Sequence, residues 1–148
     1  MTEPVVVILA AGLGTRMRSA TPKLLHPLCG RPMIRWSVGA AQDAGAGKIV
    51  VVDGPQRVLE PVIDGTAEIA VQSQPLGTAD ALEAATDQLD SAGTVIVLNG
   101  DHPLVSAELI RALASVHERE GAAATMVTAV LEDPRGYGRV VRASDGTV

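Results

Sequence analysis

The chain has 148 residues and a formal net charge of −5 at pH 7, a length that suits a single domain. Hydrophobic residues make up 47% of it, but there is no phenylalanine and only one tryptophan and one tyrosine, so the core is aliphatic and aromatic stacking on nucleic-acid bases is excluded as a main binding mode. The single cysteine excludes an intrachain disulfide and favours a cytoplasmic location, and no apolar run approaches the ~20 residues of a membrane span.

Apolar strands alternate with helical segments along the chain, which predicts an α/β fold with a doubly wound, mostly parallel sheet. Strands are predicted at 5–9, 48–52, 68–71 and 94–98, and helices at 32–44, 57–63, 78–89 and 106–120. Ser106 is suited to cap the last of these helices. A further strand is predicted at 123–130, and a hairpin at 139–148 that turns at 144–146.

The stretch 9–23, LAAGLGTRMRSATPK, follows the first strand and is predicted to bind a nucleoside triphosphate. Gly12 and Gly14 let the backbone approach a ligand because they have no Cβ, and unpaired N–H groups in such a loop face phosphate oxygens. Residues 12–35 contain no acid but several basic residues, namely Arg16, Arg18, Lys23, Arg31 and Arg35. The alternative explanation is an exposed strand–helix loop with solvated arginines.

Two common nucleotide-binding motifs do not fit this stretch. The Rossmann fingerprint needs a third glycine where Met17 stands and an acid ~20 residues further on. The Walker motif needs a Gly-Lys-Ser/Thr sequence, which is absent here. The mismatch disfavours a dinucleotide-dependent oxidoreductase, and it indicates a different way of binding a triphosphate.

Polar residues follow other predicted strands, at the sheet edge where α/β proteins bind ligands. The loops expected there are 10–23, 53–55, 72–78 and 99–103. Asp101 is placed to hold Mg²⁺, which usually takes one or two protein carboxylates, although a turn aspartate is the alternative. Gln72, Gly77 and Thr78 are suited to reading a pyrimidine edge by hydrogen bonds, with a plain polar turn as the alternative.

Four segments together resemble the sugar-phosphate nucleotidyltransferases: LAAGLGTRMRSATPKLLHPLCGRPM at 9–33, QSQPLGTADAL at 72–82, NGDHPL at 99–104 and DPRGYGRVVR at 133–142. Within that family they are most similar to the N-terminal uridylyltransferase region of the bacterial bifunctional N-acetylglucosamine-1-phosphate uridylyltransferases/glucosamine-1-phosphate acetyltransferases. The relatives commonly have Gly-His after the LGT sequence, whereas this chain has Ala79 and Asp80.

The resemblance implies a Rossmann-like nucleotidyltransferase fold and a cytoplasmic enzyme of peptidoglycan synthesis. The implied reaction is Mg²⁺-dependent transfer of UMP from UTP to N-acetylglucosamine 1-phosphate, a sugar 1-phosphate, which gives UDP-N-acetylglucosamine and pyrophosphate. Neither a nucleic acid nor a membrane is expected as a partner. The alternatives are a nucleotidyltransferase that uses another base or acceptor, and a nucleotide-binding chain without turnover.

The resemblance also implies roles for individual residues. Arg16 and Lys23 would be catalytic and contact phosphates, while Asp101 would bind Mg²⁺. The residues implied in nucleotide binding are Leu9, Ala10, Ala11, Gly12, Gly14, Lys23, Gln72, Gly77 and Thr78. Those implied near the sugar nucleotide are Asn99, Gly100 and Gly138.

Residues 1–148 are expected to be the N-terminal, nucleotide-binding part of a nucleotidyltransferase domain, with no second domain. The resemblance implies that later family residues, a sugar-binding Glu and Asn and a second Mg²⁺-binding Asn, would lie beyond Val148. The same holds for the β-helix acetyltransferase domain through which these enzymes form trimers.

Overall fold

The computed structural model describes residues 3–12, 14, 17–63, 65–74, 76–89, 93–146 and 148. Its strands are β1 (Val5–Leu9), β2 (Pro27–Leu28), β3 (Arg31–Pro32), β4 (Lys48–Asp53), β5 (Glu68–Val71) and β6 (Val95–Asn99). Its helices are α1 (Met33–Asp43), α2 (Glu60–Ile63), α3 (Thr78–Glu83) and α4 (Ala107–Glu120). No helix in this described part of the chain is long and apolar enough to cross a membrane.

Four strands form a parallel sheet in the order β5-β4-β1-β6, which confirms the predicted fold class. Leu9 at the end of β1 pairs with Val52 of β4 and with Asn99 of β6, so the carboxyl ends of these strands lie level. The chain runs outward from β1 through β4 and β5, and then crosses to β6 on the other side of β1. The strand order therefore reverses beside β1, where open α/β sheets bind their ligands.

The side chains of β1 alternate between two hydrophobic clusters, one on each face of the sheet. Val6 and Ile8 pack in the cluster that includes Ile34 of α1, whereas Val5 and Val7 pack in the cluster that includes residues of α3. Because successive side chains of a strand point to opposite faces, a strand buried on both faces is apolar throughout. This is why β1 was predictable from its unbroken apolar sequence.

The ends of α4 follow the capping signals in the sequence. The Ser106 hydroxyl accepts a hydrogen bond from the backbone N–H of Leu109 at 3.3 Å. Gly121 ends the helix with a φ of 56°, the left-handed conformation that glycine adopts most readily at this position. The prediction of a helix capped by Ser106 is confirmed.

Helix α2 was predicted at 57–63 but occupies only Glu60–Ile63. Arg57 has a φ of 50°, which is incompatible with a right-handed helix. The backbone N–H of Leu59 donates to the carboxylate of Asp53 at 2.8 Å. The side chain of Asp53 thus holds this segment in a turn before the helix begins.

Helix α3 was predicted to reach residue 89, but it ends at Glu83. The chain continues through a turn into a 3-10 helix at Thr86–Gln88. The Thr86 hydroxyl donates to the carbonyl of Glu83 at 2.7 Å. Such a side-chain bond competes with the regular helical pattern.

A short hairpin of β2 and β3, which the sequence analysis did not predict, lies between the first loop and α1. Its two turn residues, Cys29 and Gly30, have φ values of 51° and 78°. Positive φ at both central positions is typical of a type I′ turn. A non-glycine residue at the first position hid this turn from the sequence analysis.

The predictions of a strand at 123–130 and a hairpin at 139–148 are wrong for the described residues, which contain no strand after β6. A turn does occur near 144–146, where the N–H of Gly146 donates to the carbonyl of Ala143 at 3.0 Å. Val130 is fully exposed. An apolar sequence favours a strand only where a neighbouring strand accepts its hydrogen bonds, and no described strand pairs with this segment.

Candidate functional site

Backbone hydrogen bonds continue beyond the ends of the strands and gather three loops at one edge of the sheet. The N–H of Gly100 donates to the carbonyl of Leu9 at 2.9 Å, which joins the loops after β6 and β1. The N–H of Gln72 donates to the carbonyl of Asp53 at 2.9 Å, which joins the segments after β5 and β4. Together with the strand order β5-β4-β1-β6, these bonds place the loops after β1, β5 and β6 at the same edge of the sheet.

A cavity of about 380 Å³ opens at this edge. Every residue that the sequence analysis implied in nucleotide binding lines it: Leu9, Ala10, Ala11, Gly12, Gly14, Lys23, Gln72, Gly77 and Thr78. Asn99 and Asp101 line it as well, together with Leu24 and Ala81, which the sequence analysis did not single out. Ala81 lies one helical turn after Gly77, whose carbonyl accepts its N–H at 3.0 Å, and that spacing was the available signal.

Lys23 and Asp101 meet in this cavity although 78 residues separate them. Lys23 Nζ donates to Asp101 Oδ2 at 2.5 Å, and the two side chains are 33% and 36% exposed. This hydrogen bond from the ammonium holds the pKa of the Asp101 carboxyl below its usual value of 3.8, against an opposing effect of burial. His102 adds a smaller effect in the same direction, with its Nε2 3.6 Å from Asp101 Oδ1.

The two glycines of the first loop differ in what the protein requires of them. Gly14 has a φ of 61°, and a Cβ there would lie 2.6 Å from the Cβ of Lys23. At Gly12 no described atom lies within 4 Å of where a Cβ would be. The backbone at Gly12 is therefore open to close approach by a bound molecule.

The loop after β5 is held by the side chain of Gln72, which is 6% exposed. Its Nε2 donates to Asp80 Oδ2 at 2.6 Å and to the carbonyl of Gly77 at 3.2 Å. Gly77 has a φ of 121°, a conformation that favours glycine. These contacts fix the part of the cavity lining that the loop after β5 contributes.

The fourth loop expected at this edge, 53–55, borders a smaller cavity of about 250 Å³ that shares Gly12 and Lys23 with the first. Asp53 is 2% exposed and accepts the backbone N–H groups of Gly54 and Leu59, both at 2.8 Å. Its carboxylate is thus occupied in shaping the loop.

Gly100 and Gly138, both implied near the sugar nucleotide, do not line the larger cavity. Arg16 lies outside the described residues. Gly100 is buried, and a Cβ there would lie 3.1 Å from the ends of the Ile34 and Leu24 side chains, so packing favours a glycine at this position. Gly138 lies in the exposed segment after α4 and away from the cavity lining, and its contact with a sugar nucleotide stays a prediction.

The basic residues of the segment 12–35 serve different purposes in the structure. Among those described, only Lys23 lines the larger cavity. Arg31 stacks over the ring of Trp36 at 5.3 Å, and Arg35 donates to the carbonyl of Ile63 at 3.0 Å. The local excess of positive charge therefore contributes to packing as well as to the cavity.

Two of the lining residues, Asp101 and Asn99, carry the carboxylate and amide oxygens that suit a hard divalent cation. Over the residues that the structure describes, no group of three or more His, Cys, Asp or Glu side chains is arranged to hold a metal ion. Mg²⁺ at phosphate-binding sites usually takes only one or two carboxylates, with phosphates and water completing its coordination.

Comparison with known proteins finds a match over residues 6–142 to the family model described as the MobA-like NTP transferase domain. The bifunctional protein GlmU of Trichlorobacter lovleyi is 48% identical over 152 residues, which cover 100% of this chain and 33% of that protein. The chain thus spans about a third of the length of this curated relative. The resemblance drawn from the sequence motifs is confirmed.

Solved structures show the same architecture. A nucleotidyl transferase from Methanothermobacter thermautotroptrophicus is 28% identical, with a TM-score of 0.63 over 78% of this chain and 58% of that one. A CMP:2-keto-3-deoxy-manno-octonic acid synthetase complexed with CTP is 25% identical, with a TM-score of 0.65 over 82% of this chain and 49% of that one.

Proposed function

Because the chain belongs to the family of MobA-like NTP transferase domains, we propose that it transfers UMP from UTP to N-acetylglucosamine 1-phosphate in a Mg²⁺-dependent reaction. The products are UDP-N-acetylglucosamine and pyrophosphate, and we place the reaction in the cytoplasm, in the supply of peptidoglycan precursors. Residues 1–148 would form the nucleotide-binding part of the nucleotidyltransferase domain.

The observation that carries this proposal is the convergence of distant residues on one cavity. Loops after three different strands supply a glycine-containing backbone, a lysine and a carboxylate within a volume of about 380 Å³. Lys23 and Asp101 are close enough to serve one ligand, since their charged atoms are 2.5 Å apart. The choice of UTP and of this sugar phosphate rests on the resemblance of the sequence motifs to the uridylyltransferases, and the similarity to GlmU supports that resemblance.

In the proposed reaction an oxygen of the sugar 1-phosphate attacks the α-phosphorus of UTP. A P–O bond forms there while the bond from the α-phosphorus to the bridging oxygen breaks, and pyrophosphate leaves with that electron pair. The attacking phosphate is already an anion, so no side chain has to remove a proton. The chain's contribution is alignment of the two phosphates and neutralisation of their charge.

Lys23 would donate hydrogen bonds to phosphate oxygens, and the backbone at Gly12 would approach them closely because it carries no Cβ. Arg16 would add a second cation from the same loop. In the structure the ammonium of Lys23 is neutralised by Asp101. Binding of a triphosphate would therefore exchange this ion pair for contacts with phosphate.

The donor set at Asp101 fits Mg²⁺, because carboxylate and amide oxygens are its preferred ligands. Asp101 would hold the ion, with Asn99 beside it in the cavity lining. When bound, Mg²⁺ would neutralise negative charge on the phosphates.

Pyrophosphate release from UTP and N-acetylglucosamine 1-phosphate in Mg²⁺ tests the proposal. Lys23→Met should lower turnover by about 100-fold or more, the usual cost of one aligned electrostatic contact. Lys48→Met is the matched control, because Lys48 is 36% exposed and also ion-paired, 3.3 Å from Glu68, but lies outside the cavity lining. The same loss is expected of Arg16→Ala with the fold intact.

Unchanged turnover in folded Lys23→Met and Arg16→Ala variants would refute the proposed roles. A second candidate function, nucleotide binding without turnover, is favoured by the position of Gly138 away from the cavity lining. Calorimetric binding of UTP by the wild-type chain without any pyrophosphate release would support this second candidate.

A further inference from the structure

The amide of Gln72 is held in one orientation by two acceptors. Its Nε2 donates to Asp80 Oδ2 at 2.6 Å and to the carbonyl oxygen of Gly77 at 3.2 Å. An ionised carboxylate and a backbone carbonyl accept hydrogen bonds and donate none. Only the NH₂ end of the amide fits between them, so the assignment of oxygen and nitrogen follows from the partners.

The other end of the amide, Oε1, accepts no hydrogen bond from the residues that the structure describes. Gln72 is 6% exposed, and it lines the 380 Å³ cavity. With Nε2 engaged by Asp80 and Gly77, Oε1 is the end of the amide that remains for a molecule bound in the cavity.

We propose that Asp80 is a positioning residue that sets the hydrogen-bonding polarity of this side chain, so that Gln72 presents an acceptor to the cavity. Asp80 forms the shorter of the two contacts and carries a charge. Hydrogen bonds to an ionised group are roughly twice as strong as neutral ones. Gly77 alone would restrain the amide less.

A fixed acceptor selects the base of the nucleotide. Uracil carries a hydrogen on N3, which Gln72 Oε1 accepts, whereas cytosine has a lone pair there and two acceptors would face each other. Guanine also carries a ring N–H, so the comparison that isolates Gln72 is uracil against cytosine, which have the same ring size. This inference rests on the proposed function, because it places the base of the bound nucleotide beside Gln72.

Asp80→Asn tests the role of the carboxylate at nearly constant size. An asparagine presents either an oxygen or an NH₂ group, so the Gln72 amide is free to rotate by half a turn and offer Nε2 to the cavity. We expect the ratio of UTP affinity to CTP affinity to fall by about tenfold or more. The main change should be a gain in CTP binding.

The measurement is calorimetric titration of the full chain with UTP and with CTP, both in Mg²⁺. Asp87→Asn is the matched control, since Asp87 is exposed in the 3-10 helix Thr86–Gln88 and makes no hydrogen bond to Gln72. It should leave the UTP-to-CTP ratio unchanged. Asp80→Glu keeps a group that only accepts hydrogen bonds, and it should retain more of the wild-type ratio than Asp80→Asn does.

The NMR signals of the Gln72 side-chain NH₂ give a second readout. In the wild type its exchange with water should be slowed by the two acceptors, and in Asp80→Asn it should be faster. If Asp80→Asn does not fold, Asp80→Ala replaces it with the same expectation.

An unchanged UTP-to-CTP ratio in the folded variant would overturn the inference and leave the proposed function standing. Failure of the wild-type chain to bind either nucleotide would overturn both. A wild type that binds CTP as tightly as UTP would contradict the acceptor role of Gln72 while remaining compatible with nucleotidyl transfer.

Discussion

Substitution of Gly14 by alanine probes the backbone of the first loop more sharply than removal of a charge does. Gly14 has a φ of 61°, and its Cβ would lie 2.6 Å from the Cβ of Lys23, against 3.4 Å for the onset of ordinary contact. The two segments must therefore separate by about 0.8 Å. The Cβ of Lys23 is fixed to the backbone, so side-chain rotation cannot relieve this contact.

Gly14→Ala should have two effects, one on stability and one on the reaction rate. The left-handed backbone costs an alanine about 1–2 kcal/mol, and at about 2–4 °C per kcal/mol the melting temperature should fall by several degrees. The displacement of Lys23 should act on function instead. A shift approaching 1 Å in a positioning group costs about 100-fold in rate.

Gly121→Ala is the matched control, because Gly121 has a φ of 56° and no described atom lies within 4 Å of where its Cβ would be. It should lose a comparable amount of stability, while its UTP affinity and pyrophosphate release stay at the wild-type level. Urea unfolding, calorimetry with UTP and pyrophosphate release would be measured on both variants. Full activity in folded Gly14→Ala would refute the argument that the loop positions Lys23.

Two further predictions concern stability. The hydrogen bond from Lys23 holds the pKa of Asp101 below 3.8, so the contribution of this pair to folding is present above that pH and is lost as the pH falls through the lower pKa of the folded state. Because both side chains are about one-third exposed, Asp101→Asn should lower the free energy of unfolding by under about 1 kcal/mol at neutral pH. In urea unfolding, the difference between variant and wild type should disappear well below pH 3.8. A difference that persists there would contradict a stabilising role for the Lys23–Asp101 pair. Ser106→Ala should lower the free energy of unfolding in urea by about 1 kcal/mol, because α4 loses its cap. Ser144→Ala, in an exposed turn, is the control and should change this free energy little. Equal effects of the two substitutions would contradict the capping role of Ser106.

The central strands β1 and β4 were predictable because both of their faces are buried. A run such as Val5–Leu9 is apolar at every position, and turn residues bound it. The start and end of α4 were predictable from Ser106 and Gly121, whose side-chain chemistry acts locally. Such features are determined by residues that are close in sequence, and tertiary contacts do not alter them.

Other features depend on contacts that no local pattern encodes. The left-handed conformation of Arg57 and the bond from Leu59 to Asp53 shorten α2, although the sequence there is compatible with a longer helix. The segment 123–130 has the composition of a strand but no described strand beside it to accept its hydrogen bonds. Partner availability, rather than propensity, decides its structure.

In the candidate site, too, some features were predictable from the sequence and others were not. The sequence predicts which loops meet, because parallel strands align their carboxyl ends. It does not predict that Lys23 contacts Asp101 at 2.5 Å or that Asp80 holds the amide of Gln72. The first contact joins the loops after β1 and β6, and the second closes the loop after β5 onto the start of α3, so both depend on how these loops fold at the edge of the sheet.

The measurement that tests the central claim most directly is a crystal structure of the chain with UTP and Mg²⁺. The account predicts the triphosphate in the 380 Å³ cavity, in contact with Lys23 and the backbone at Gly12, with the metal ion on Asp101 and the base beside Gln72. A nucleotide bound outside this cavity, with the Lys23–Asp101 ion pair intact, would contradict it.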